Sequence, residues 1–138
     1  MLISLFPVSF HRSRSLTTDG AVEFEILALG ATADTGGDVQ TLIVDTGPAN
    51  LEVKSAVFAD NGNTWALGTT NGLDQVVWEY SPDTSAWTIF ETAGTPYLLA
   101  SNVATGATRN VYFRLTMPVE TTSSNQYGVT VTVVATAP

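Results

Sequence analysis

Hydrophobic and polar positions alternate along several short segments of this chain, which is the pattern of half-buried β-strands. The alternation is clear in 22–26, where Glu23 and Glu25 separate apolar residues, and in 110–117 and 127–135. No segment carries apolar residues at helical spacing over three turns. The pattern therefore predicts an all-β chain with strands at Val22–Ile26, Val39–Val44, Leu51–Phe58, Trp65–Thr69, Gln75–Tyr80, Trp87–Phe90, Tyr97–Leu99, Asn110–Met117 and Tyr127–Ala135.

Turn residues separate these segments at short intervals. Asp19-Gly20, the cluster 45–50 and Asp60-Asn-Gly-Asn63 combine residues that tolerate the backbone angles of tight turns. Short strands with turns every 8–12 residues are typical of a sandwich or barrel. We therefore expect one antiparallel β-sandwich, immunoglobulin-like or jelly-roll-like, over residues 16–138, preceded by an apolar arm at 1–15.

The composition narrows the possible partners. The chain has 138 residues, of which 44% are hydrophobic and 13% charged, enough apolar material for one domain with a sizeable core. A net charge of −8 disfavours nucleic acid and anionic membrane surfaces as partners. There is no cysteine, and no stretch approaches the roughly 20 apolar residues of a membrane span. We expect no membrane insertion and no cofactor.

The N-terminal arm differs from the rest of the chain in charge and hydrophobicity. Residues 2–10 are largely apolar, and two arginines follow in a chain that has only three other basic residues. An apolar strand needs hydrogen-bond partners for its backbone, and an open sheet edge supplies them. The strand could pair within its own sandwich or with a neighbouring copy. The candidate interface residues are Leu2, Ile3, Leu5, Phe6, Val8, Phe10, Arg12 and Arg14.

Three segments carry a resemblance to a known class of domain. They are Val57-Phe-Ala-Asp-Asn-Gly-Asn-Thr64, the Val77 to Trp87 hairpin, and Asn110-Val-Tyr-Phe-Arg-Leu-Thr-Met-Pro118 with Tyr127-Gly-Val-Thr-Val-Thr-Val133. In this order they resemble the immunoglobulin-like domains of bacterial and archaeal surface and filament proteins. The resemblance implies an extracellular filament subunit whose N-terminal segment completes the sheet of the next subunit. Because the opening residues do not form a signal peptide, a virion component is the alternative.

One motif suggests catalysis. Leu42-Ile-Val-Asp45-Thr46-Gly47 matches the active-site turn of aspartic proteases, in which two such aspartates share a proton. Pro48 follows where that family has a small residue, and the later apolar-apolar-Gly strand is missing at its usual distance. A turn is the simpler interpretation, and a retroviral-type protease is a remote alternative.

The remaining chemistry-bearing residues have simpler structural explanations. His11 is the single histidine, so a catalytic set would depend on one residue in the arm. Asp34 to Asp38 and Asp60 to Asn63 are rich in oxygen but lack calcium-loop spacing. Glu23 and Glu25 are expected on the solvent face of a strand.

The three tryptophans raise the possibility of carbohydrate binding. Trp78 is in phase with Val76 and Tyr80 and is expected in the core, whereas Trp65 and Trp87 follow turns and could be exposed. We therefore expect a non-catalytic structural subunit that binds copies of itself, with a virion coat protein or a carbohydrate-binding module as alternatives.

Overall fold

The computed structural model describes residues 3–5, 14–16, 20–24, 26–35 and 37–138, the first two segments by their backbone alone. The described residues form β-strands, turns and loops, and no helix. The fold is an all-β sandwich, as the alternating pattern predicts. Its strands, numbered in chain order, are β1 Ile3–Leu5, β2 Arg14–Leu16, β3 Val22–Phe24, β4 Thr32–Asp34, β5 Gln40–Val44, β6 Ala49–Ser55, β7 Phe58–Ala59, β8 Thr64–Leu67, β9 Gln75–Ser81, β10 Thr88–Ile89, β11 Tyr97–Val103, β12 Thr108–Thr116, β13 Tyr127–Val129 and β14 Val131–Thr136.

The larger sheet contains eleven of these strands. Its main path runs β2-β5-β12-β9-β8-β7-β13-β1-β3, with β10 beside β9 and β4 beside β12. Strands β4 and β5 lie antiparallel to successive parts of β12, since Asp34 is opposite Arg114 and Gln40 is opposite Val111. The pairings are antiparallel except for β1 with β13 and β8 with β9, which are parallel.

The smaller sheet has the order β11-β6-β14, and both of its pairings are antiparallel. The β6–β14 register is unbroken from Val131 opposite Ser55 to Thr136 opposite Asn50. The β6–β11 register instead shifts at two places, between Leu98 and Ala100 and between Ala100 and Val103. The two edges of this sheet therefore differ in regularity.

The core lies between the two sheets and is centred on Trp78 of β9. The Trp78 ring is fully buried and contacts the rings of Phe24, Phe58, Phe90 and Phe113 at centroid distances of 5.0–6.2 Å. Burial of a large aromatic ring contributes strongly to stability because it removes a wide apolar area from water.

Two hydrogen bonds join the sheets across this core. Trp78 Nε1 donates to Ser55 Oγ on β6 at 3.1 Å. The hydroxyl of Tyr80 donates to the carbonyl oxygen of Leu98 on β11 at 2.8 Å. The polar atoms of these buried side chains are thereby paired, as burial requires.

The chain passes between the two sheets several times, and two of these crossings lie at the same level of the sandwich. Ala56 and Val57 separate β6 from β7, and Thr130 separates β13 from β14. The N–H of Ala56 donates to the carbonyl oxygen of Thr130 at 2.9 Å, so the two crossings lie side by side. Strands that bend from one sheet into the other close the corner of a sandwich.

Several predicted strands have different bounds from those expected. The single strands expected at Leu51–Phe58 and Tyr127–Ala135 are each divided between the two sheets. Strand β3 ends at Phe24, so Ile26, expected on its apolar face, is 81% exposed. The strands β9 and β12 agree with the predicted segments to within two residues.

Candidate assembly site at the β13 end of the large sheet

Strand β1 lies between β13 and β3. Ile3 is opposite Tyr127 and Leu5 is opposite Val129 in the parallel pairing with β13. The other edge of β1 pairs antiparallel with β3, where Ser4 is opposite Glu23. Strand β1 therefore fills a slot one strand wide between β13 and β3. Strand β3 is connected to the sheet by its pairing with β1.

The predicted interface residues fall into three groups. Ile3 and Leu5 belong to β1, and Arg14 belongs to β2, which pairs with β5 through Arg14 opposite Val44. Strand β2 spans the boundary expected between residues 15 and 16. The remaining predicted interface residues lie outside the described part of the chain: Leu2, Phe6, Val8, Phe10 and Arg12.

An aromatic stack involves the strand on one side of the slot. Tyr127 of β13 and Trp65 of β8 are fully buried, and their rings stack with centroids 3.8 Å apart at an interplanar angle of 15°. The Trp65 ring also lies 6.1 Å from the ring of Phe58. The indole N–H of Trp65 donates to Thr121 Oγ1 at 2.9 Å. Strand β13 is therefore also held by side-chain packing against β8, which in turn packs against β7.

The hydroxyl of Tyr127 is buried and has no hydrogen-bond partner among the described residues. Burial of a polar group without a partner is unfavourable because its hydrogen bonds to water are lost and not replaced. Hydrogen bonding of buried polar groups is therefore less complete in the core beside β13 than around Trp78, where Ser55 Oγ accepts the indole N–H.

Asp60 organises the loops beside β13. Its Oδ1 accepts the backbone N–H groups of Gly62 and Asn63 at 2.8 and 2.6 Å. Its Oδ2 accepts Ser123 Oγ at 2.9 Å and Asn125 Nδ2 at 3.2 Å. Desolvation acts to raise the pKa of Asp60, but the hydrogen bonds from Asn63, Ser123 and Gly62 outweigh it and lower the pKa from 3.8 to about 2.

A second carboxylate ties the same loop to the sheet. Asp74 accepts the backbone N–H of Thr122 at 2.7 Å and also the hydroxyl of that residue. These hydrogen bonds lower the pKa of Asp74. The backbone N–H of Asp74 donates to the carbonyl oxygen of Glu120 at 2.9 Å. Two ionised aspartates therefore fix the connection between β12 and β13.

A polar pocket of about 490 Å³ lies at this end of β13. It is bordered by the loop that carries Asp60 and by the residues around β13, and Gly128 both lines it and lies opposite Ser4 of β1. The pocket and the β1 slot therefore share strand β13. The pocket lining is Ala59, Asp60, Asn61, Asn125, Gln126 and Gly128.

The tryptophans are mostly unavailable to a ligand. Trp78 is buried as predicted, and Trp65, which could have been exposed, is buried as well. Trp87 is half-buried, and the guanidinium carbon of Arg114 lies 4.5 Å from the centre of its ring. Arg114 also forms a bidentate ion pair with Glu79, with N–O distances of 2.7 and 2.8 Å. This ion pair raises the pKa of Arg114.

Asp45 of the protease-like motif lies exposed in the turn after β5. In that turn the N–H of Gly47 donates to Thr105 Oγ1 at 2.8 Å. A Cβ atom at Gly47 would come within 2.8 Å of the backbone at Val103 and Thr105, so this position requires glycine for close packing. The glycine of the motif thus has a packing role that does not depend on catalysis.

The other candidates for site chemistry remain separate. His11 and Glu25 lie outside the described residues, whereas Glu23 is exposed on β3 as predicted. No three His, Cys, Asp or Glu side chains come together as a metal site within the described residues. In the oxygen-rich turn 60–63, N–H and O–H donors surround the Asp60 carboxylate, and a cation would have to displace them.

Neither a scan against protein-family models nor a search of curated protein sequences finds a match to this chain. Among the described residues, no helix has the length and apolar character needed to cross a membrane.

Sequence reasoning missed the residues that surround the slot. Asp60 was expected only as part of a turn, because its partners Ser123 and Asn125 are 63 and 65 residues away in the chain. The run of Thr, Ser and Asn at 121–125 was the available signal, since these side chains often complete turn hydrogen bonds.

Proposed function

We propose that this protein is a non-catalytic structural subunit that self-assembles outside the cytoplasm, with β1 of one copy inserted between β13 and β3 of the next. The observation that carries the proposal is the position of β1 in a slot flanked by two strands. A strand supplied by a neighbour would make the same backbone hydrogen bonds, because strand pairing depends on the backbone and not on chain continuity. Exchange of an identical element between copies is a low-cost route to assembly.

The connection between β1 and β2 supports the exchange. Eight residues, 6–13, join Leu5 to Arg14, and such a length can span roughly 30 Å when extended. Contacts with other parts of the chain also hold the β13 side of the slot, through the Trp65–Tyr127 stack and the Asp60 hydrogen bonds. A copy that gives up its own β1 would keep these contacts, while β3 would lose the strand that joins it to the sheet until a neighbour's β1 replaces it.

An extracellular filament is the leading form of the assembly, and a virion coat is the alternative. Insertion of each β1 into the next copy is a head-to-tail contact, which generates an open filament unless the rotation between copies closes a ring. Negative-stain electron microscopy separates the two forms, since filaments of variable length support the first and closed shells the second.

A cysteine cross-link tests the exchange directly, because the chain has no cysteine of its own. Ser4 and Glu23 are opposite each other on β1 and β3. We expect the full chain with Ser4→Cys and Glu23→Cys to form a ladder of covalent oligomers on oxidation. Mixed single variants, assembled together, should give the heterodimer. A product cross-linked only within one chain would overturn the proposal.

The matched control uses an antiparallel pair of strands in the small sheet. Leu98 and Glu52 are opposite each other on β11 and β6, away from β1. The Leu98→Cys and Glu52→Cys double variant should cross-link within one chain, and the mixed single variants should give no heterodimer. A variant lacking residues 1–15 should also fail to form filaments.

A carbohydrate-binding role is the second candidate, favoured by the polar pocket beside β13. Amide side chains of Asn61, Asn125 and Gln126 line it and offer both donors and acceptors to sugar hydroxyls. Isothermal titration with a panel of glycans tests this role. Binding that Asn125→Ala weakens at least tenfold would support it, whereas no heat signal from any glycan would reject it.

A further inference from the structure

The two edges of the small sheet have opposite properties. On β11, the carbonyl oxygen of Leu98 accepts the Tyr80 hydroxyl, and the N–H of Asn102 donates to Asn50 Oδ1. Asn102 has a left-handed φ of 50°, and the register shifts on both sides of Ala100. Bulges and occupied backbone groups are the devices that stop an edge strand from pairing with another chain.

Strand β14 has neither a bulge nor a shift of register against β6. Its six residues keep one register with β6, and the strand contains neither proline nor glycine nor a charged side chain. No strand in the described part of the chain pairs with its second edge. An uninterrupted neutral edge rich in β-branched residues is a template for pairing with another strand.

The register with β6 shows which backbone groups face that edge. The Ala56–Thr130 hydrogen bond identifies a hydrogen-bonded pair, so the pairs that include Thr132 and Val134 are hydrogen-bonded to β6 as well. The N–H and C=O groups of the residues between them, Val131, Val133 and Ala135, then point away from β6. These three residues present outward donors and acceptors at two-residue spacing.

The charge distribution favours a second copy as the occupant. In a two-fold contact each residue meets the same surface on its partner, so charges of one sign repel across it. The chain carries 13 acidic and 5 basic residues, yet none of them lies in 121–138. Strand β14 is therefore an edge at which two acidic copies can meet without bringing carboxylates together.

We propose that β14 pairs antiparallel with β14 of a second copy and joins two three-stranded sheets into one of six strands. This contact is independent of β1, because it uses the other sheet and relates two copies by a two-fold axis. If copies are also joined head to tail through β1, this contact would pair two such filaments side by side.

A charge-swap experiment on the full chain tests the proposal. Val134 is half-buried near the middle of β14, where its side chain would lie within reach of its symmetry mate. We expect the Val134→Lys and Val134→Glu variants each to lose the contact, which lowers the mass by light scattering twofold. An equal mixture should regain the mass, because Lys then meets Glu. The proposal would be overturned if both single variants had the same mass as the unmodified chain. It would also be overturned if the unmodified chain stayed monomeric.

Two controls separate this contact from the others. Leu98→Lys and Leu98→Glu place the same charges on β11, at an exposed position of the same sheet, and should leave the mass unchanged. Ala135→Pro removes an outward N–H and should abolish the pairing while the fold persists, whereas Val134→Pro removes a bond to β6 and should lower the melting temperature. The Ser4–Glu23 cross-link should persist in the Val134→Lys variant, so failure of either proposal can be recognised separately.

Discussion

The centre of the large sheet and its β13 end are held in different ways. At the centre, β9 and β12 pair over five consecutive residues, and Trp78 contacts four other aromatic rings. At the end, β1, β3 and β13 are each three residues long, and the hydroxyl of Tyr127 has no partner within the described part of the chain. Stability in a protein is distributed unevenly, and regions with few contacts open first. The centre should therefore preserve the fold, and the end is where the proposed exchange of β1 would cost least.

Removal of the central ring should have the largest effect. We expect Trp78→Ala to lower the free energy of unfolding by about 3–5 kcal/mol, because it leaves a cavity among four rings and frees Ser55 Oγ. Trp65→Ala, the matched change at the end, should cost less because the short strands around it can collapse into the space. Urea denaturation measures both, and an equal or larger loss for Trp65→Ala would contradict the comparison.

The centre of the large sheet also contains an ion pair, between Glu79 of β9 and Arg114 of β12. Glu79→Gln should lower the free energy of unfolding by about 1–2 kcal/mol, because the Arg114 guanidinium, 32% exposed, loses its carboxylate. Thermal denaturation at low and at high salt provides the measurement. Glu120→Gln, which changes an exposed carboxylate in the same way, serves as the control and should have little effect.

The unpaired hydroxyl at the end predicts a change of opposite sign. Tyr127→Phe should raise the free energy of unfolding by about 1 kcal/mol, because it removes a buried hydroxyl for which the described residues supply no hydrogen-bond partner. Tyr80→Phe removes a hydroxyl that donates to Leu98 and should lower it by a similar amount. Chemical denaturation of both variants provides the check, and a loss of stability in Tyr127→Phe would show that its hydroxyl is satisfied.

The smallest expected effect is the acid response of the loop beside β13. The pKa of Asp60 is about 2 in the folded chain, below its ordinary 3.8, so the ionised form stabilises the fold above pH 4. That contribution should disappear as the pH falls from about 4 to about 2. Asp60→Asn should therefore flatten the decline of the melting temperature in this range, whereas Asp45→Asn should keep it. An unaltered decline in Asp60→Asn would exclude this assignment.

The sequence predicted the centre of the molecule better than its end. Strands β9 and β12 follow from local alternation, and Trp78 was expected in the core because it is in phase with Val76 and Tyr80. Alternation could not reveal that the chain changes sheets at Thr130, because Val129 and Val131 on either side are both buried. The period-2 pattern continues unbroken while the hydrogen-bonding partner changes from β7 to β6.

The slot itself could not be predicted because it depends on pairings between distant segments. Nothing local in Ile3-Ser-Leu5 specifies β13, more than a hundred residues later, as its neighbour. The apolar character of the arm indicated only that it needs an edge to pair with. The Asp60 hydrogen bonds could not be predicted for the same reason. Turn residues indicate that a turn is present, but they do not indicate which distant loop the turn will contact.

The parallel orientation of β1 and β13 determines how the molecule would respond to tension. The start of β1 and the end of β13 lie at opposite ends of the paired segment, because Ile3 is opposite Tyr127 and Leu5 is opposite Val129. A force that pulls the two chain ends apart along these strands loads their hydrogen bonds together, in shear, and does not peel them one after another. In a filament joined through β1, tension would enter the strand at Leu5, where it continues into its own subunit, and would load these bonds in shear if the neighbour resisted from the Tyr127 end of β13.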